Sequence, residues 1–315
     1  MTGKSNDRTI RDWMGIFAEL YSQPDSARTP EQIWITVMAH SSSIGESIRR
    51  VAFQDLLKYA SHTFCWLCSF VSRCNQLKDD IFSFEEPLCG MVSIKYPLVC
   101  GHCTEARCRC DPEKTDAIED KSAQYEDLLD RRAKMKTDDE AYTIADWKDI
   151  LWKIYGGRIH IQTLESIGFH YLEEVGEAAF AVRKLSELKG ICGKESEGID
   201  VTFLNGLTTV ERIVKSYKEY YRSDLKDRPD FVYTSKEPDI LKWRIVDGKM
   251  RMVIEIADTF SWFCAIMNKL DSISKASKFP LLLLEDQLRG EYFDDHGNPR
   301  CPTCQAKPCK CVFFF

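Results

Sequence analysis

Eight of the fourteen cysteines in this 315-residue chain fall into two clusters of identical spacing. Cys100, Cys103, Cys108 and Cys110 read Cys-x2-Cys-x4-Cys-x-Cys, and so do Cys301, Cys304, Cys309 and Cys311. The agreement continues upstream. Thr63-Phe64-Cys65-Trp66-Leu67-Cys68 matches Thr259-Phe260-Ser261-Trp262-Phe263-Cys264, and Ile44-Gly45-Glu46 matches Val175-Gly176-Glu177. Asp12-Trp13 with Leu20-Tyr21 matches Asp146-Trp147 with Ile154-Tyr155 at the same internal spacing. Matched blocks in one order read as a tandem duplication, so the expected fold is two versions of one unit.

Four thiolates can close a tetrahedral Zn²⁺ site and leave no position open, which makes each cluster a structural zinc knuckle by expectation. Disulfides, a site shared between the clusters, or an iron–sulfur cluster would draw on the same residue type. Zinc is favoured because the chain is large and its N-terminal MTGKSNDRTIRDW lacks the apolar stretch of a secretory leader; a cytoplasmic location is the matching expectation. The net charge of -6 argues against a general nucleic-acid or anionic-membrane surface. No apolar run reaches the roughly 18–20 residues that span a bilayer.

Apolar spacing of the 3.6-residue kind predicts helices over Ile10–Tyr21, Pro30–Phe53, Gln54–Gln76, Ile144–Tyr155, Leu164–Leu188, Thr208–Arg222 and Lys249–Leu270. Short strands are conceivable only near Met91–Val99 and Phe231–Trp243. The expected class is all-α: two tandem helical repeats, each ending in a four-cysteine knuckle. The first repeat is placed at 1–112, a charged linker with a solvated helix around Ser122–Met135 at 113–143, and the second repeat at 144–315. From Gly45 to Trp66 is 21 positions but from Gly176 to Trp262 is 86, so the second repeat carries an insert at about 188–248. An insert beside a site can serve as a lid or as plain surface elaboration.

The second repeat also carries two pairs of acids. Glu174 and Glu177 are three residues apart and share a helical face, as do Glu255 and Asp258. In Met252–Met267, MVIEIADTFSWFCAIM, Glu255 and Asp258 are the only charges, so this helix reads as buried. A buried carboxylate needs a partner, and the stretch offers no Lys or Arg. A hard cation such as Mg²⁺ or Mn²⁺, held by Glu174, Glu177, Glu255 and Asp258, is the simplest answer. The first repeat is an internal control. In register, Tyr59 and His62 stand where Glu255 and Asp258 do, Ser42 and Ser43 replace Glu173 and Glu174, and only Glu46 keeps its match in Glu177. The packing residues persist while the acids have gone.

The segments Tyr171-LEEVGEAAFAVRKL and Val253-IEIADTFSWFCAIMNKL resemble the paired acidic helices of the all-α nucleoside triphosphate pyrophosphatases, the MazG-like and dimeric dUTPase-like proteins. The insert lengthens the spacing between them, and the cysteine clusters lie outside that family's core. The resemblance implies Mg²⁺-dependent hydrolysis of a nucleoside triphosphate to the monophosphate and pyrophosphate, with Glu173 as a further carboxylate able to orient water. Arg183, Lys184 and Lys269 become candidates for phosphate contacts. His62 and Trp66 become either core residues or walls of a base pocket. Such proteins build their bundle from two or more protomers, which implies a covalent pseudo-dimer here, with a homo-oligomer or protein partner also open. A non-catalytic nucleotide sensor or scaffold, docking through the knuckles or the Phe313–Phe315 tail, is the alternative.

Overall fold

In the computed structural model the described residues are 8–78, 80–110, 121–134, 142–194, 203–204, 206–222, 238–277 and 283–311. Among them the regular secondary structure is all helical, without strands. In chain order come α1 (Ile10–Ser26), α2 (Pro30–Arg49), α3 (Phe53–Gln76), α4 (Leu88–Lys95), α5 (Lys121–Lys134) and α6 (Ile144–Ile161). They are followed by α7 (Leu164–Lys194), α8 (Val210–Arg222), α9 (Pro238–Ser277) and α10 (Leu284–Tyr292). The Phe313–Phe315 tail lies outside the described residues.

Helix starts follow local chemistry. Thr9 with Asp12, Thr29 with Gln32 and Thr143 with Asp146 each form a reciprocal capping box, satisfying two otherwise orphaned N–H groups at the start of α1, α2 and α6. The helix expected to run to Phe53 ends at Arg49, because Val51 adopts a left-handed φ of 57° that breaks it. Leu88–Lys95 is helix α4 and not a strand. All eight of its residues are buried, so no solvent-facing period distinguishes the two forms. Of the other conceivable strand, 238–243 belongs to α9, and 231–237 lies outside the described residues.

At the centre α2 packs on α3 and α7, and α7 packs on α9. The Trp34 indole N–H donates to Val175 O at 3.3 Å, and the hydroxyls of Ser41 and Tyr171 hydrogen-bond at 2.7 Å, both between α2 and α7. The buried apolar residues form one cluster running through both halves.

The halves also exchange their ends. Helix α4 packs on α9, and α10 packs on α3. The Cys108 N–H donates to Ile154 O at 2.8 Å, and the Cys309 N–H donates to Leu20 O at 2.7 Å. Leu20 and Ile154 are positions already matched in sequence. The starts of α1 and α6 meet as well, through an antiparallel bridge between Thr9 and Thr143 and a bond from Ile10 N–H to Tyr142 O at 3.1 Å.

Part of the insert lengthens the two acidic helices, carrying α7 to Lys194 and starting α9 at Pro238. Another part, α8, lies against α9 and α5. Buried Lys249 donates to Ser83 O at 2.7 Å and Leu207 O at 3.0 Å, fastening α9 to the loops on either side. Helix α5 falls where the linker helix was expected but is not simply solvated. Leu128 is 1% exposed, and Arg132 reaches Ser93, Glu86 and Glu211. Leu128→Ala should therefore cost about 2–5 kcal/mol of stability in chemical denaturation, the range for a buried leucine, where a solvated linker would show almost no change.

Candidate functional site: an acidic pocket between two helices

Helix α9 is set in the core by Met252, Val253, Ile256, Ala257 and Phe260, all buried. That placement turns its acidic face toward α7. One ligand oxygen each from Glu174, Glu177 and Glu255 lies within 4.8 Å of the others. About two turns along each helix from Glu177 and Glu255, the rings of His170 and Trp262 stack at 4.7 Å. Glu177 meets Glu255 while His170 meets Trp262, so the two helices run antiparallel across the pocket.

The pocket is electrostatically overloaded. Burial, then Asp258, with Glu255 and Glu177 adding to it, pushes the Glu174 carboxyl up to about 8, although Lys95 pulls the other way. Burial and the same neighbours push Glu255 up to about 7. Three converging carboxylates held partly out of water are a donor set for a hard divalent cation, whose charge would relieve their repulsion.

Asp258 is placed differently from the other three acids. It is buried, with one oxygen accepting from Lys95 Nζ and the other from the Tyr96 hydroxyl. The cation missing from the stretch Met252–Met267 thus arrives from α4, in the other half of the chain. The knuckle steadies it there. A Cβ on Gly101 would lie 2.8 Å from both Lys95 Cγ and Lys95 O, so only glycine lets the Cys100–Cys103 loop close over that side chain. Tyr96 meets Tyr155 edge-on at 5.8 Å, and the Tyr155 hydroxyl donates to Cys100 Sγ at 3.4 Å. A line of contacts therefore runs from the acids to the first cysteine cluster.

The corresponding place in the first half is built from other groups. His62 Nε2 and Glu291 hydrogen-bond at 2.7 Å, the His40 ring lies 5.1 Å from His62, and burial together with His62 pushes His40 down to about 4. Glu291-Tyr292 at the end of α10 thus answers His62 as Lys95-Tyr96 at the end of α4 answers Asp258. Trp66 is core, stacked on Tyr21 at 5.7 Å.

Four residues singled out in the sequence are not brought to the pocket. Glu173 is 62% exposed, 3.4 Å from His170, and does not join the three converging carboxylates. Arg183 and Lys184 pair with Glu187 at 3.5 and 3.1 Å. Lys269 donates to His160 O at 3.1 Å, closing the end of α6. Helical phase explains the first three, since adjacent positions point about 100° apart. Lys95 and Tyr96 escaped sequence reasoning. The available signal was a single lysine inside the apolar run MVSIKYPLV.

In each cysteine cluster the four sulfurs lie within 4.8 Å of one another. Cys100 and Cys110 are 3.7 Å apart, and Cys301–Cys311 and Cys304–Cys309 are each 3.9 Å apart. A tetrahedron with Zn–S bonds of about 2.3 Å has edges of about 3.8 Å, so both clusters could hold zinc. Their loops are alike. Thr104 N–H bonds Cys100 O at 3.0 Å and Gln305 N–H bonds Cys301 O at 2.9 Å, with left-handed φ at Thr104 (54°) and Gln305 (57°). Burial raises the Cys304 thiol, but the N–H groups of Lys310 and Ala306 and the neighbouring thiols outweigh it and bring it to about 6. No helix among the described residues is long and apolar enough to cross a membrane.

Raised carboxyls carry a sign for stability. The metal-free fold binds protons at Glu174 and Glu255 that the unfolded chain has released, so this contribution is full below about pH 4.5 and is lost as pH rises through about 7–8. Metal-free protein should melt at progressively lower temperature between pH 5 and 8, and millimolar Mg²⁺ should restore more at pH 8 than at pH 6. A melting temperature indifferent to Mg²⁺ at pH 8 would count against a cation in this pocket. The chain matches no family model, no curated protein and no solved structure.

Proposed function

We propose that the protein is a Mg²⁺-dependent nucleoside triphosphate pyrophosphohydrolase of the all-α kind, converting an NTP or dNTP and water to the monophosphate and pyrophosphate between α7 and α9. The observation that carries this reading is the convergence of Glu174, Glu177 and Glu255 on one face of the pocket, with Asp258 fixed beside them. In this reading Glu174, Glu177 and Glu255 hold Mg²⁺ or Mn²⁺. Bound there, the ion would supply charge for the phosphates and acidify a coordinated water.

The remaining work falls to the chain's own groups. Lys95 and Tyr96 hold Asp258 in one orientation and keep its negative charge close to the three glutamates. Glu177, the most exposed of the trio, stands at the mouth. The His170–Trp262 stack offers a flat aromatic surface at the pocket's edge, where a planar base can lie. Zinc in the two knuckles would be structural, the first of them bracing Lys95.

One observation favours the non-catalytic alternative. The Lys95–Asp258 pair withdraws one of four acids, leaving a three-carboxylate site that suits binding without turnover as well. The two readings part in a single assay. Incubation with a panel of NTPs and dNTPs plus Mg²⁺ should release pyrophosphate, and Glu255→Gln should lower the rate about a hundredfold or more, given the several kcal/mol a metal ion contributes. Saturable nucleotide binding without pyrophosphate would select the sensor. Metal analysis should find two zinc per chain, falling to one in Cys301→Ser.

A further inference from the structure

A cavity of about 480 Å³ opens between the first cysteine knuckle and the C-terminal half of α6, within the size range of small-molecule sites. Its lining is Arg107 from the knuckle with Trp152, Lys153, Gly156, Gly157 and His160 from α6. Among the described residues no carboxylate lines it, although the chain as a whole carries a net charge of -6. Arg107 and Lys153 form no ion pair with any described residue. The walls are nonetheless firmly joined, by the Cys108 N–H to Ile154 O bond of 2.8 Å and by Arg158 donating to Cys110 O.

The other half shows the same junction closed. There the second knuckle docks on α1 through the Cys309–Leu20 bond, and Lys307 Nζ pairs with Glu19 at 2.5 Å. Glu19 precedes the docking carbonyl of Leu20, just as Lys153 precedes that of Ile154. The charge at this position is therefore inverted on α6, and it shares the groove with Arg107. Two like charges around one cavity, neither ion-paired among the described residues, repel each other and favour the entry of an anion. Trp152 is held ready beside them. A Cβ on Gly156 would come within 3.0 Å of its Cδ2 and Cε2, so the indole rests on bare backbone, while the space over Gly157 is open up to Arg107 Nη2 at 3.9 Å.

We infer that this groove is a second ligand site, distinct from the acidic pocket, that takes a nucleoside monophosphate. The phosphate lies between Arg107 and Lys153, the guanidinium fork suiting two of its oxygens, and the base stacks on Trp152. The inference rests on the junction alone and stands whether or not the acidic pocket hydrolyses nucleotides.

The test is calorimetric titration of the full-length protein, without added divalent cation, using AMP, adenosine and inorganic phosphate. AMP should bind at one site, with adenosine and phosphate each at least tenfold weaker. Lys153→Glu should weaken AMP about tenfold or more while keeping the fold, because it gives Arg107 the partner that Glu19 gives Lys307. Arg107→Glu and Trp152→Ala should act in the same direction, and Glu255→Gln should leave AMP binding unchanged. No AMP binding at millimolar concentration, or binding that survives both Lys153→Glu and Arg107→Glu, would overturn the site. Phosphate binding as tightly as AMP would overturn the stacking role of Trp152. A short single-stranded oligonucleotide binding more tightly than AMP, and lost in the same variants, would replace the small ligand with a strand.

Discussion

The hydrogen bonds from Cys108 to Ile154 and from Cys309 to Leu20 tie each cysteine knuckle to the first helix of the opposite half, and much of the architecture follows from that exchange. A short four-cysteine loop has little apolar surface of its own, so it needs a metal and a neighbour to hold its shape. Docking on the far half supplies the neighbour and carries along the segment before it. Helix α4 is thereby delivered to α9 and α10 to α3. The single continuous core is the packing consequence: neither half closes over its apolar residues without the other's end.

The same exchange decides the electrostatics of the acidic pocket. Burying several carboxylates near one another is unfavourable by mutual repulsion and lost hydration, which appears as the upward displacement of Glu174 and Glu255. Lys95, brought in on α4, answers Asp258 and leaves three carboxylates facing one another. In the first half the matched place holds a single hydrogen-bonded pair instead, His62 with Glu291 delivered on α10. The same swapped geometry thus produces a surplus of negative charge in one half and a closed hydrogen bond in the other. A comparable contrast recurs at the knuckle junctions, where Glu19 closes one and Lys153 opens the other.

Most helices were legible from periodicity and capping residues, because amphipathic spacing and Thr-x-x-Asp or Thr-x-x-Gln boxes are local signals. The failures share a cause. Met91–Lys95 was ambiguous because a wholly buried segment has no polar face, and the solvated reading of α5 missed that Leu128 is buried and that Arg132 has partners more than thirty residues away in the chain. In the pocket, three of the five acids singled out converge. Glu173 does not, since neighbouring positions on one helix point in different directions, and Asp258 is engaged by groups from a segment far upstream.

Sequence alone determined the all-helical class, the two clusters able to hold zinc, and the pairing of acids on two helical faces. Each of these depends on spacing within a few turns of one segment. Tertiary structure alone decided which end meets which half, and therefore that Asp258 finds Lys95, that the halves share one core, and that Arg107 and Lys153 flank an open groove. Those outcomes depend on residues as far apart in the chain as Leu20 and Cys309, whose proximity is set by how the knuckles dock and not by any local pattern.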